Sequence, residues 1–115
     1  MNLNEKQMYR IVKCLSNNDQ RKIIKSLKDN NAYAYSELKK ILGYYPDVSG
    51  KFAYNIRTLS NTGIIKKEMK GYFLTRIGVQ LAHLLDDFEK VCMSYDISDL
   101  DADGKIEMTV RGRKI

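Results

Sequence analysis

Between residues 47 and 74 the apolar positions change their spacing once, and that change limits the fold more than any other feature. In DVSGKFAYNIRTLSNTGII, Val48, Phe52, Ile56 and Leu59 recur at helical intervals and mark one buried face. Asn61-Thr62-Gly63 ends that helix. The following KKEMKGYFL reads as two short strands, 64–68 and 72–74, around Met69-Lys70-Gly71, with Gly71 supplying any positive-φ position. A helix delivered directly into a tight hairpin makes this an α+β chain.

Three shorter helices are expected upstream. The first covers about residues 4–15, with Met8, Ile11, Val12 and Leu15 on one face. Asn18 or Asp19 can cap the second, near 20–28, which buries Ile23, Ile24 and Leu27. Its end falls at Asp29-Asn30-Asn31, where asparagine tolerates left-handed geometry. Ser36 is a good cap for a third helix carrying Leu38, Ile41 and Leu42, closed by Gly43. Pro46 pushes the residue before it out of helical geometry, so Tyr44-Tyr45-Pro46 is a turn. Asp47 or Ser49 then caps the fourth helix, and Thr75 caps a fifth that runs to about Val91.

Charge separates the chain into parts with different partners. The 115 residues carry a formal +6, which favours a polyanion. Residues 1–32 hold seven basic and three acidic groups, and residues 33–76 hold eight and three. Residues 77–100 reverse the sign, with Lys90 against five acidic groups. The electropositive surface therefore belongs to the first three quarters of the chain. No run of 18 apolar residues offers a membrane span, and MNLNEKQMYR has no signal-peptide core, so a cytoplasmic location is expected. Cys14 and Cys92 read as small buried hydrophobes. With one histidine they provide no zinc cluster.

The outer face of the fourth helix carries the best-defined chemistry. Lys51, Tyr54, Asn55 and Thr58 lie opposite its apolar stripe, with Arg57 at the flank. A helix fits the major groove of duplex DNA, where base edges present distinct donor and acceptor patterns. Asn55 suits an adenine edge, Lys51 and Arg57 suit guanine or phosphate, and Tyr54 and Thr58 suit phosphate or a thymine methyl. Ser36 and Ser49, at helix starts, bring backbone amides toward phosphates. Lys66, Lys67 and Lys70 on the hairpin neutralise backbone charge beside the groove. The plainer alternative is a solvated helix face and lysines that serve solubility.

The segment YSELKKILGYYPDVSGKFAYNIRTLSNTGIIKKEMKGYFLTRIG carries a wider pattern. It has a scaffold helix at Ser36-Glu37-Leu38, a recognition helix through Tyr54-Asn55-Ile56-Arg57-Thr58-Leu59, then Gly63-Ile64-Ile65 leading into a wing. Residues 19–78 thereby resemble the winged helix–turn–helix domain of archaeal and bacterial transcriptional regulators, particularly the arsenical-resistance-repressor-like group. The resemblance implies sequence-specific binding of double-stranded DNA by a transcriptional regulator. The metal-sensing members carry clustered cysteines or histidines, which this chain lacks. Winged helices also serve as protein–protein interaction modules, which is the alternative function.

After residue 76 the chain serves another purpose. Ile77, Leu81, Leu84, Phe88 and Val91 are spaced as the seam of a short coiled coil, which points to a homodimer, the alternative being that the whole stripe is intramolecular core. His83, beside that stripe, reads as a surface or interface residue. Asp99, Asp101, Asp103 and Gly104 match the opening of a calcium loop, but Val110 stands where the bidentate glutamate belongs. A hairpin of 94–100 with 105–110 is the structural reading of that segment, and Arg111, Arg113 and Lys114 close the chain. The expected organisation is a winged-helix domain over 1–76, a dimerisation helix over 77–93 and a hairpin or tail over 94–115. No nucleophile–base–acid set and no glycine-rich phosphate cradle is present, so neither catalysis nor a cofactor is expected.

Overall fold

The computed structural model describes residues 4–46, 49–94, 109–110 and 113–114, the last four as backbone only. The order is α1 (Glu5–Ser16), α2 (Asn18–Ser26), α3 (Tyr35–Ile41), α4 (Lys51–Thr62), β1 (Ile65–Glu68), β2 (Gly71–Leu74), α5 (Arg76–Met93), β3 (Thr109–Val110) and β4 (Arg113–Lys114). The chain divides into two compact units, Met1–His83 and Leu84–Ile115, with the division inside α5. The first is a mostly helical domain with a small two-stranded wing, the α+β winged-helix architecture expected.

Local chemistry sets the helix boundaries. Asn4 caps α1 by accepting from the Gln7 amide at 2.8 Å, while Gln7 Oε1 accepts from the Asn4 amide at 3.3 Å. α2 starts at Asn18, two residues before the expected Gln20, because the cap is Asn17, whose side chain accepts from the Gln20 amide at 2.9 Å. Asp29 and Asn30 both take left-handed geometry after it, as expected of that stretch. Ser36 is not a cap. α3 begins at Tyr35, and Glu37 Oε1 accepts from the Ala34 amide at 3.0 Å. α4 begins at Lys51 after Gly50 at φ 70° and ends on Gly63 at φ 84°. Val48, expected on its core face, and Asp47 lie outside the described residues. Thr75 caps α5 as expected, accepting from the Gly78 amide at 3.2 Å and donating to the Gly63 carbonyl at 2.6 Å.

Ile23, Ile24, Leu27, Leu38, Phe52, Ile56, Leu59, Ile64, Ile65 and Leu74 form the core of the first unit. Phe52 lies at its centre, edge-on to Tyr35 at 5.0 Å and tilted against Tyr44 at 5.3 Å. Three expected core residues are exposed instead. Met8 and Val12 face outward because α1 buries Ile11 and Cys14, and Ile41 faces outward at the end of α3.

β1 and β2 pair antiparallel, Ile65 opposite Leu74 and Glu68 opposite Gly71, leaving Met69 and Lys70 as the tip. The root of this wing is fastened to the chain before α3. Tyr33 donates to the Tyr72 carbonyl at 3.1 Å, and Tyr72 donates back to Tyr33 at 2.8 Å. Gly71 is required there: at φ +119° a Cβ would come within 2.4 Å of the Tyr33 oxygen. In the second unit, β3 pairs with β4, Thr109 opposite Lys114 and Val110 opposite Arg113. The sequence pairs 105–110 with 94–100, whereas Thr109 and Val110 pair with Lys114 and Arg113. The proposed 94–100 strand and the calcium-like residues 99–108 lie outside the described residues, apart from Ser94, a turn residue after α5.

Candidate nucleic-acid interface

α4 presents its outer side along Tyr54, Arg57 and Asn61, all exposed, with Lys51 also exposed on its first turn. Thr58 is half-buried at the margin. Asn55 corrects the expectation. It is only 2% exposed, and its Oδ1 accepts from Gln20 Nε2 at 3.0 Å across the α2–α4 contact. Three residues after Phe52 and four before Leu59, it belongs to the buried face whatever its polarity. Buried there, it cannot reach a base edge. Asn61, four residues beyond Arg57 and seven beyond Tyr54, is the outward-facing asparagine that the sequence reading missed.

The interior amide pair is incompletely bonded: Gln20 Oε1 and Asn55 Nδ2 have no partner. Each unpaired polar atom costs about 1–3 kcal/mol when buried. The Gln20–Asn55 bond therefore fixes how α2 meets α4 more than it adds to stability.

Lys51 is held rather than loose. Its Nζ lies 2.9 Å from Asp19 Oδ2, and the Tyr44 hydroxyl donates to Asp19 Oδ1. The Tyr44 bond, then the Lys51 contact, hold the Asp19 carboxyl below its ordinary range. This ties the start of α4 to the start of α2, and it offsets the Lys51 charge. The sequence offers Asp19 only as a helix cap, since no spacing rule brings positions 19, 44 and 51 together.

The wing lysines are exposed. Lys66 Nζ lies 3.5 Å from Glu68, whereas Lys67 sits over the Tyr72 ring at 5.9 Å. Ser36, Lys67 and Lys70 line one cleft of about 370 Å³ between α3 and the wing, together with Tyr35. Ser49 is exposed just before Gly50, its Oγ 3.3 Å from the Lys51 amide. The structure therefore places Lys51, Tyr54, Arg57 and Thr58 on α4 and Ser36, Lys67 and Lys70 in the α3–wing cleft, with Ser49 and Lys66 outside both and Asn55 buried.

On α5, Ile77 and Leu81 are half-buried, whereas Leu84, Phe88 and Val91 are exposed. His83 is exposed beside them. Cys14 is buried, and loss of water pushes its thiol pKa up, while Cys92 is exposed. Among the described residues, no group of three side chains could hold a metal ion, and no helix is long and apolar enough to cross a membrane.

No protein-family model matches this chain, and no curated protein or solved structure matches it. The helices and the wing are consistent with a winged-helix fold in its generic form.

Proposed function

We propose that this chain binds double-stranded DNA sequence-specifically and acts as a transcriptional regulator without catalysing a reaction. One observation carries the reading: a helix with an exposed ridge of Tyr54, Arg57 and Asn61 leads directly into a wing with three exposed lysines. The ridge enters the major groove, where Arg57 and Tyr54 meet base edges and phosphates. Lys66, Lys67 and Lys70 neutralise backbone charge to one side, and Ser36 contributes its hydroxyl in the cleft it shares with Lys67 and Lys70. Within the winged-helix class, the sequence pattern resembles the arsenical-resistance-repressor-like group, without the metal-sensing cysteines. The expected setting is the cell interior.

The regulator works as a homodimer in this reading, paired through Leu84, Phe88 and Val91 of α5, whose exposure supports it. Ile77 and Leu81 extend the same seam. Each half of the pair reads half of a palindromic operator. The same exposed stripe supports the rival reading, a winged-helix protein–protein module that binds no DNA.

Fluorescence anisotropy on duplexes at several salt concentrations separates these readings. Release of counterions by Arg57, Lys66, Lys67 and Lys70 gives an expected slope of log affinity on log salt of about −4. Absence of duplex binding at low salt overturns the DNA reading.

A further inference from the structure

α1 has no part in the interface described above, yet a cleft of about 410 Å³ runs between it and α4 in the first unit. Its walls include Arg10 and Lys13 of α1, Asn17, and Tyr54, Thr58 and Asn61 of α4. Each of these side chains can donate a hydrogen bond, and two carry positive charge. Among the described residues no carboxylate lines the cleft. Arg10 and Lys13 are exposed and three residues apart, so two like charges share one face and repel. Among the described residues Lys51 and Lys66 have carboxylate partners, whereas Arg10 and Lys13 have none, Lys13 lying over the Tyr9 ring at 5.6 Å. Gln20 also lines the cleft, buried, with Oε1 unpartnered.

From this geometry we infer that the α1–α4 cleft binds a phosphate group, held between Arg10 and Lys13 and bonded by Tyr54, Thr58 and Asn61. Phosphate oxygens accept from several directions at once, which suits a donor set drawn from two helices. The group is a backbone phosphodiester of the duplex, because Tyr54 and Thr58 belong to the cleft and to the α4 face alike. That choice of source rests on the DNA reading; the phosphate chemistry does not.

The test uses the full chain with Arg10→Gln and Lys13→Gln, singly and together, and with Asn61→Ala. All three positions are exposed, and circular dichroism checks that each variant folds. Duplex anisotropy is measured across salt concentrations, and inorganic phosphate and a mononucleotide are titrated separately by NMR. The double variant is expected to lose about tenfold in duplex affinity and to make the salt slope about one unit shallower, as loss of one phosphate contact requires. Asn61→Ala is expected to lose about threefold at unchanged slope, since it removes a donor and no charge. If the wild type binds no duplex, or the variants leave duplex binding unchanged, saturable phosphate binding that the variants abolish still supports the cleft and makes the source a free phosphate. If Asn61→Ala is silent in both titrations, or no variant changes either, the assignment is overturned.

Discussion

Two helices of this chain carry the same apolar spacing and meet opposite fates. On α4, Phe52, Ile56 and Leu59 are 0%, 4% and 0% exposed. On α5, Leu84, Phe88 and Val91 repeat that spacing and are 54%, 64% and 59% exposed. Periodicity names the face that needs cover but leaves open what supplies it. For α4 the cover is intramolecular: Tyr35 and Tyr44 pack on Phe52. For α5 it is expected from a second copy of the chain.

Phe52→Ala against Phe88→Ala gives the largest contrast. Loss of Phe52 is expected to cost about 3–5 kcal/mol in denaturant unfolding, because the core cannot close over the space. Loss of Phe88, measured at low protein concentration, is expected to cost under about 1 kcal/mol. Equal losses would mean that the α5 stripe is core after all. Next in size is Phe88→Glu, expected to turn a sedimenting dimer into a monomer while leaving the circular dichroism unchanged. A wild-type chain that sediments as a monomer at high concentration would remove the proposed partner.

Within α4 the contrast is between polar residues. Asn55→Ala is expected to destabilise the fold by about 1–3 kcal/mol, since Gln20 loses its bond. Arg57→Ala should leave the unfolding midpoint in place and narrow the preference among duplexes by about 1–3 kcal/mol. The reverse pattern would return Asn55 to the DNA face. Smallest is Asp19→Asn, which weakens the tie between α2 and α4. The folded carboxyl titrates below its ordinary value of 3.8, so its contribution is complete above that pH and is lost as pH falls through the shifted value. Unfolding curves for the two proteins should therefore differ near neutrality and converge in strong acid.

Where local rules decide, the fold was legible in the sequence. Gly63, Gly71 and Thr75 occupy the turn and cap roles their chemistry suits, and the wing register follows from its two-residue tip. On the polar residues of α2 and α4, spacing decides burial and polarity does not. Asn55 is polar but sits at a core interval, and Gln20, three residues before Ile23, repeats the pattern; both are buried. Asn61 follows from the same arithmetic on the outer face. The contacts of Asp19 and the approach of α1 to α4 could not be read this way. They join positions far apart in sequence, and nothing local encodes them.

The reciprocal bonds between Tyr33 and Tyr72 have a consequence for how the hairpin could be altered. They anchor its base, and Gly71 admits no side chain at that closure. Met69, at the far end, is fully exposed. Length is therefore adjustable at residues 69–70 alone: inserted residues would extend the tip's reach while the anchored base and the core beneath it stayed as they are. Chains built on this plan change the reach of the wing by changing a few tip residues.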